Sequence, residues 1–243
     1  MIKKFHQFYL KQRFFPNWIS VFINPFFFPR LSLLKAIKKF APLLKGELLD
    51  FGCGAKPYES LFLNVSKYIG TDIENESHDH SNEIIDFYYD GTTLPFENES
   101  FDSIFSSEVL EHVPELEKSL QELNRVLKKD GQILITVPFS FPEHEMPFDF
   151  RRLTSGGIQK VLIDQGFEIQ KCQKYGSFSK VVFQLLIMYI HDLVYTKNRY
   201  VNLILNVVFI FPIQLISILL SLIMFQNKSL YFGTIILAQK KNS

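Results

Sequence analysis

Residues 48–54 read Leu-Leu-Asp-Phe-Gly-Cys-Gly, a short apolar strand that ends in an acid and two glycines. A second apolar segment ends on Asp72, twenty-two residues after Asp50. The glycines at Gly52 and Gly54 let the backbone turn sharply and approach a ligand, and an acid at the tip of the next strand can accept hydrogen bonds from ribose hydroxyls. This pair of features predicts a cofactor that contains a nucleoside.

Position 57 helps to choose among nucleoside cofactors. The glycine fingerprint of dinucleotide-binding proteins would place a third glycine there, and this chain has Pro57. No close pyrophosphate cradle is therefore expected, which disfavours a nicotinamide-dependent oxidoreductase. S-adenosylmethionine has a ribose and an adenine but no phosphate, and a carboxylate such as Asp50 would suit its methionine ammonium group. We therefore expect S-adenosylmethionine as the cofactor.

Three later segments continue the pattern, each at the end of a successive predicted strand. They are residues 68–73 (Tyr-Ile-Gly-Thr-Asp-Ile), 90–96 (Asp-Gly-Thr-Thr-Leu-Pro-Phe) and 106–113 (Ser-Ser-Glu-Val-Leu-Glu-His-Val). Ligands of open α/β sheets bind at the edge formed by the carboxyl ends of the strands. Over roughly residues 46 to 175 the chain resembles the class I S-adenosylmethionine-dependent methyltransferases. In that family the three segments supply the ribose acid, the adenine loop and a wall of the methyl-transfer cavity.

The resemblance implies a set of cofactor-binding residues along these segments. They are Asp50, Gly52, Cys53, Gly54, Asp72, Ile73, Asp90, Gly91 and Ser107. Three of the acids also have a structural interpretation when each is taken alone. Asp50 could cap a helix, Asp72 could be an ordinary loop acid, and Asp90 could open an Asp-Gly turn.

The alternation of strands and helices after Gly46 is typical of a sheet with helices on both faces. Strands are predicted at 47–51, 67–72, 84–89, 101–105, 131–137, 167–175 and 231–239. Helices are predicted at 31–45, at 114–127 with an apolar stripe of leucines, and at 154–165. The expected fold is α/β: a Rossmann-like, seven-stranded, mostly parallel sheet with helices on both faces and a hydrophobic helical insert before the last strand.

The 243 residues can form one full core with appendages. We expect a basic aromatic amino-terminal segment and helix at 1–45, the cofactor-binding core at 46–177, an apolar helical insert at 178–228, and the final strand and tail at 229–243. The start of the chain is not expected to be a secretory signal. Two cysteines give no disulfide framework, so a cytoplasmic protein is expected.

Charge is unevenly distributed along the chain. Residues 1–46 contain nine basic side chains and no acid, residues 47–177 contain eleven basic and twenty-four acidic, and residues 178–243 contain six basic and one acidic. The acidic middle disfavours a nucleic-acid substrate, because binding a polyanion needs a basic track around the site. His78 and His80 lie in an acidic, serine-containing loop and are expected to be solvated.

The basic amino terminus and the insert both suggest a membrane surface. Aromatic residues such as Trp18 and Phe22 alternate with Lys11, Arg13 and Arg30, a mixture that suits the headgroup region. The same aromatics could instead form a lid over the catalytic cavity. Residues 200–227 form a run of 28 without a charge. Pro212 is expected to split this run into halves too short to span a bilayer, which favours a re-entrant or in-plane hairpin. A homodimer interface or a helical cap is the alternative.

Methyl transfer needs few catalytic side chains, because the cofactor supplies the electrophile. His112 and His144 are the predicted catalytic residues, since a hydroxyl acceptor would need a base that titrates near neutral pH. His112 could instead make only a structural hydrogen bond. Asp149, Arg151 and Arg152 are predicted to orient a polar acceptor, with Asp149 and Arg151 as the main substrate-binding residues. A surface ion pair and a charge at a helix start are the alternative.

No metal is expected. Glu108, Glu111 and His112 have conceivable ligand spacing, but the sequence shows nothing that completes such a site.

The sequence therefore predicts a methyltransferase that acts on a small or lipid-linked acceptor at the inner face of the membrane, as a peripheral or monotopic protein. The competing hypothesis is a non-catalytic, methyltransferase-like membrane or assembly protein that uses the apolar insert for association.

Overall fold

The structure, a computed structural model, describes residues 12–73, 85–224 and 227–241. The prediction that the chain does not start with a secretory signal concerns mainly residues 1–11, which lie outside the described range. The loop with His78 and His80, and the first residue of the predicted strand at 84–89, also lie outside it.

A seven-stranded sheet forms the centre of the fold. Its strands are β1 (Gly46–Phe51), β2 (Val65–Ile73), β3 (Phe87–Tyr89), β4 (Phe101–Ser107), β5 (Leu127–Pro138), β6 (Phe167–Tyr175) and β7 (Gly233–Lys240). The spatial order is β3-β2-β1-β4-β5-β7-β6. Neighbours from β3 to β5 pair in parallel, and β7 runs antiparallel to β5. The predicted Rossmann-like sheet, with an apolar helix before its last strand, is confirmed.

The described helices come next in chain order. They are α1 (Ser20–Ile23), α2 (Phe27–Phe40), α3 (Leu116–Val126), α4 (Ser155–Asp164), α5 (Phe178–Val194), α6 (Arg199–Leu205) and α7 (Phe211–Ile223). Short 3-10 turns lie at Ala41–Leu43 and Glu59–Leu61, and a π-helical turn lies at Asn206–Ile210.

The predicted apolar stripe on α3 packs in the core beneath the sheet, where Leu116, Leu120 and Leu123 are buried. The predicted strand after it starts earlier than expected. β5 begins at Leu127, because Leu127 pairs with Phe101 on β4 and this pairing extends the strand back past the turn signal at 128–131.

The chain divides into two compact units. One comprises Ala36–Lys174 and Gly233–Ser243 and contains most of the sheet. The other comprises Met1–Lys35 and Tyr175–Phe232, so the basic aromatic segment and the apolar insert fall in the same unit. We call these the sheet unit and the apolar unit.

The long apolar helix of the insert is continuous, contrary to the expectation that Pro212 splits it. It extends from Tyr200 to Ile223, a length of 24 residues with a mean hydropathy of 2.6. Pro212 lies in the first turn of α7, directly after the π-helical turn Asn206–Ile210. The wider π turn relieves the clash of the proline ring with the preceding turn, so the helix continues through Pro212.

Candidate active site

The first site residues lie in the glycine loop that follows β1. Gly52 has φ +72° and its amide donates to the Thr71 carbonyl over 2.9 Å. A Cβ on Gly52 would lie only 2.4 Å from the Val109 side chain. The loop therefore passes so close to the segment after β4 that only glycine fits at this position.

Asp72 at the end of β2 holds the same loop from the other side. Its Oδ2 accepts a 2.8 Å hydrogen bond from the Gly54 amide, and its Oδ1 accepts one of 2.9 Å from the Ile73 amide. A carboxylate has about four lone-pair positions, so both oxygens can also accept hydrogen bonds from a ligand. This arrangement suits a ribose diol at the tip of β2, as predicted for Asp72 and Ile73.

Asp50 is buried beneath the glycine loop. Its Oδ2 accepts a 2.6 Å hydrogen bond from the Tyr68 hydroxyl. Burial raises the pKa of Asp50 to about 7, against the lowering effect of the Tyr68 hydrogen bond. Cys53 is also buried, and burial raises the pKa of its thiol. A positive ligand group near Asp50 would therefore meet a carboxyl that changes charge near neutral pH.

Asp90 and Gly91 lie after β3, on the exposed side of the same edge. Oδ1 of Asp90 accepts hydrogen bonds from the amides of Thr92 and Thr93 over 2.8 and 3.0 Å. These bonds and the one from the Thr92 hydroxyl lower the pKa of Asp90 to about 2. These contacts of Asp90 are those of an Asp-Gly turn, which was the structural alternative for this residue. The carboxylate stays ionised in that turn.

Ser107 ends β4 and pairs with Thr136 on β5, where the two hydroxyl oxygens are 2.9 Å apart. Thr136 also donates a 3.0 Å hydrogen bond to Oε1 of Glu108. Ser107, Glu108 and Thr136 thus form a row of polar side chains at the carboxyl ends of β4 and β5.

The two predicted catalytic histidines meet where the segment after β4 approaches the loop after β5. Their ring centroids are 4.8 Å apart and the rings are edge to face. Nδ1 of His112 lies 2.8 Å from the Phe148 carbonyl. Because a carbonyl only accepts, Nδ1 of neutral His112 carries the hydrogen, and Nε2 keeps its lone pair. Burial lowers the pKa of His144, with His112 as the second cause.

Asp149 and Arg151 hold the loop rather than point to an open site. The Asp149 side chain is 1% exposed, and Arg152 donates to its two oxygens over 2.6 Å each. This pairing lowers the pKa of Asp149 to about 2. Arg151 donates to the carbonyls of Leu110, Val113 and Pro114. The interpretation as an ion pair therefore describes Asp149, and acceptor binding by either residue stays a prediction.

Sequence reasoning missed two features of this region. Tyr68 was assigned only to the second strand, although its hydroxyl faces Asp50. Glu111 was considered only as one of three spaced ligands, but it is 2% exposed, and burial raises its pKa well above the usual range. An acid three residues after Glu108 in an otherwise apolar segment was the available signal.

The glycine cradle, the acid at the tip of β2 and the acid under the loop fit a nucleoside with a positively charged amino-acid group and no phosphate. Fold and site together define a Rossmann-like nucleoside-binding domain. Residues 49–135 match the family model described as a methyltransferase domain. Over these residues the predicted resemblance to the class I S-adenosylmethionine-dependent methyltransferases is confirmed.

The chain is also similar to individual proteins. An uncharacterized protein of Methanocaldococcus jannaschii is 33% identical over 108 residues, which are 44% of this chain and 50% of that protein. Phosphoethanolamine N-methyltransferase 2 of Caenorhabditis elegans is 28% identical over 116 residues, which are 43% of this chain and 26% of that protein. The chain thus spans half or less of the curated relatives that it matches.

Among solved structures, phosphoethanolamine N-methyltransferase 2 of Haemonchus contortus in complex with S-adenosyl-L-methionine has the same fold. The TM-score is 0.52 at 18% identity, over 93% of this chain and 56% of that one.

Proposed function

We propose that the protein transfers a methyl group from S-adenosylmethionine to a small or lipid-linked acceptor at a membrane surface. The carboxyl edge of the sheet supports the first part, because Asp72 and Gly54 join the tips of β1 and β2 through a 2.8 Å hydrogen bond. In this proposal Asp72 and Ile73 hold the ribose, and Asp50 faces the ammonium group. Asp90 and Gly91 hold the adenine side, and Gly52, Cys53 and Ser107 line the path between them.

When bound, S-adenosylmethionine supplies an electrophilic methyl group. The chain's own contribution is to orient the acceptor, exclude water and accept a proton. His112 is the proposed base, because its Nδ1 is held by the Phe148 carbonyl and its Nε2 has the lone pair. His144 packs against His112 and, with its lowered pKa, stays neutral at physiological pH. Asp149 and Arg151 are proposed as positioning residues, since their contacts fix the loop that carries His144.

The apolar unit supports the membrane part of the proposal because it buries several polar side chains together with apolar ones such as Val181 and Ile187, and exposes many large apolar ones. Among its described residues, Gln184, Asn206, Gln214 and Ser217 are buried. Large apolar side chains on the same helices are exposed, with Leu222 at 77% and Ile223 at 81%. A helix in water places its residues the other way round, whereas polar-inside and apolar-outside is the arrangement expected in lipid.

The buried amides have a defined role inside the apolar unit. They donate to backbone carbonyls at the end of α1 and in the irregular segment that follows it: Asn206 to Ile23, Gln214 to Asn24 and Gln184 to Pro25. Non-helical backbone is tolerated at membrane depth only where protein groups satisfy its polar atoms. Phe22 also stacks on Phe211 at 4.3 Å. The amino-terminal segment and the insert thus supply each other with the contacts that a lipid environment requires.

A cytoplasmic protein bound to the inner face of a membrane fits this arrangement. The acidic composition of residues 47–177 disfavours nucleic acid as the acceptor. The names of the two phosphoethanolamine N-methyltransferases make an amine acceptor the chemical alternative to a hydroxyl.

Flotation with liposomes tests the membrane proposal. The full chain should float with vesicles that contain anionic lipid, and the double substitution Leu222→Asp with Ile223→Asp should abolish flotation. Leu63→Asp is the matched control, because Leu63 is 79% exposed but lies in the sheet unit, so it should float normally. If the double variant floats like the wild type, membrane contact through α7 is wrong. A dimer in scattering measurements without flotation would favour the assembly hypothesis.

Transfer of a labelled methyl group tests the catalytic proposal. Membrane lipids incubated with the protein and S-adenosylmethionine labelled at the methyl group should gain label, and His112→Ala should lose most of it. A protein that neither binds S-adenosylmethionine nor transfers label would be the non-catalytic methyltransferase-like protein.

A further inference from the structure

Three potential ligands meet on the acceptor side of the sheet unit. Glu111 and His112 follow β4, and His144 lies in the loop after β5. One ligand atom from each lies within 4.8 Å of the other two. The sequence offered no residue to complete a site with Glu111 and His112, but the fold brings His144 to them from 32 positions further along the chain.

Glu111 is the unexplained member of this cluster. Its side chain is 2% exposed, and neither carboxylate oxygen has a hydrogen-bond partner among the described residues. Nε2 of His112 is 3.7 Å from Oε1 of Glu111, and the charge of Arg152 also acts on this carboxyl without a hydrogen bond to it. An ionised carboxylate buried without a partner costs several kcal/mol, on the order of the penalty for a broken buried ion pair. The site therefore needs either a cation or a proton at Glu111.

His112 is held in the way that metal ligands are held. A metal-binding histidine usually donates its other ring N–H to a backbone carbonyl or a carboxylate, which fixes the ring and the tautomer. His112 has this contact from Nδ1 to the Phe148 carbonyl at 2.8 Å. His144 has Nδ1 at 3.3 Å from Oδ2 of the buried Asp149. In His112 this leaves Nε2 as the nitrogen available to a cation, whereas Nδ1 of His144 also lies 3.4 Å from a guanidinium nitrogen of Arg152.

The surroundings of the cluster are rich in carboxylates. Oε2 of Glu145 lies 3.5 Å from Nε2 of His112, and Glu108 is close enough to raise the pKa of Glu111. These two acids favour a cation at the cluster, whereas the positive charge of Arg152, 3.4 Å from Nδ1 of His144, opposes one.

We propose that Glu111, His112 and His144 bind a divalent transition-metal ion of the zinc class. Two imidazoles with one carboxylate form a borderline donor set, which suits Zn²⁺ better than the all-oxygen sites of Mg²⁺ or Ca²⁺. Three protein ligands leave a coordination position open, as in catalytic zinc sites. The ligand atoms have to approach one another by about 1.5 Å to reach the spacing of a tetrahedral zinc site.

The inference rests on the proposed function for its chemical meaning and narrows the acceptor to one with an oxygen nucleophile. An acceptor hydroxyl in the open position would bind the ion, and coordination would lower the pKa of that hydroxyl toward neutral pH. Its proton would leave to solvent. The two histidines would then act as ligands, and with the ion bound this role would replace that of His112 as the base.

Calorimetry on the full chain, stripped of metal and without S-adenosylmethionine, tests the site. Zn²⁺ should bind with one-to-one stoichiometry and more tightly than Mg²⁺, and Co²⁺ should give the visible absorption of a low-symmetry site. Glu111→Gln and His144→Ala should each weaken binding at least about tenfold, or about 1.4 kcal/mol. His191→Ala is the control, because His191 lies in the apolar unit, beside Asp192, and should bind Zn²⁺ like the wild type.

Glu111→Gln keeps the shape of the side chain and removes a buried charge, so its circular dichroism should be that of the wild type. Unchanged Zn²⁺ binding in this folded variant, or no binding by the wild type, would overturn the proposal and leave Glu111 as a protonated acid. S-adenosylmethionine binding to the metal-free sample separates the two hypotheses. If it persists and methyl transfer resists chelation, the metal site is wrong and the proposed function stands. If the metal binds but S-adenosylmethionine does not, the proposed function is wrong.

Discussion

The Tyr68 hydroxyl donates a 2.6 Å hydrogen bond to Oδ2 of Asp50, and the two residues lie on the neighbouring strands β2 and β1. This bond opposes the effect of burial, which still raises the pKa of Asp50 to about 7. Near neutral pH the carboxyl is therefore close to half protonated in the cofactor-free protein. A cationic group beside it would favour the ionised form.

Binding of S-adenosylmethionine should therefore release a proton below pH 7. Affinity should rise with pH, by up to about tenfold for each pH unit below the pKa of Asp50. Calorimetry in buffers of different ionisation enthalpy measures the proton directly. Asp50→Asn cannot titrate, so its affinity should be weaker and independent of pH. A wild-type affinity that does not change between pH 5.5 and 7.5 would contradict the role of Asp50.

The same shift makes a prediction for stability. The pKa of Asp50 is higher in the folded protein than its ordinary value of 3.8, so the unfolded chain releases its proton first as pH rises. Ionisation of Asp50 should therefore lower the free energy of unfolding between pH 4 and pH 7, by up to about 1.4 kcal/mol for each pH unit. Asp50→Asn should thus be more stable than the wild type at pH 8 and equal to it at pH 4. Urea unfolding at the two pH values measures this, and an asparagine variant that is less stable at pH 8 would contradict it.

Two glycines with positive φ give a matched test of the glycine loop. Gly52→Ala should lower the free energy of unfolding by about 2–4 kcal/mol, because the added Cβ meets Val109 at 2.4 Å and φ is +72°. Gly91→Ala, with φ +83° and nothing within 4 Å of the added Cβ, should lose only the strain of about 1 kcal/mol. Val109→Ala should recover part of the loss at position 52. Equal losses at the two glycines would show that Val109 does not constrain the loop.

The sequence was most informative where a strand pattern and a turn signal coincided. β1, β4 and β6 were predicted within two residues, because β1 and β4 contain short apolar runs and end beside turn residues, and β6 follows directly on the helix-ending Gly166. Leu127 was predicted to end a helix, because its spacing continues the leucine stripe. In the structure Leu127 pairs with Phe101 on β4, so it belongs to a strand. Likewise, Pro212 marked a break by local rules, and the π turn before it kept the helix continuous.

The candidate site was predicted in its parts but not in its contacts. Spacing identified His112 and His144 separately, and only the fold shows that their rings touch at 4.8 Å. Asp149 and Arg152 are three positions apart in the chain, and each forms an ion pair with the other instead of leaving its charge free for a substrate. Pairings of this kind depend on side-chain burial, which a charge pattern does not specify.

The buried ion pair should hold the loop that carries His144. Asp149→Asn should cost about 3 kcal/mol, because Arg152 keeps its charge and loses a partner with a 1% exposed side chain. Asp164→Asn, which breaks the exposed pair with Lys160, should cost less than about 1 kcal/mol. Because the pKa of Asp149 is lowered to about 2, its contribution is present above pH 4 and lost as pH falls toward 2. Thermal unfolding at pH 7 and pH 2.5 measures both effects, and a loss at Asp149 no larger than at Asp164 would contradict the structural role.

Calorimetric titration of the full chain with S-adenosylmethionine tests the central claim most directly. The wild type should bind one equivalent of S-adenosylmethionine and should not bind NADH. Asp72→Asn should weaken binding at least about tenfold, since the acid at the tip of β2 holds the ribose, while Asp164→Asn should bind like the wild type. No binding of S-adenosylmethionine by the wild type, or equal affinity in a folded Asp72→Asn variant, would contradict the account.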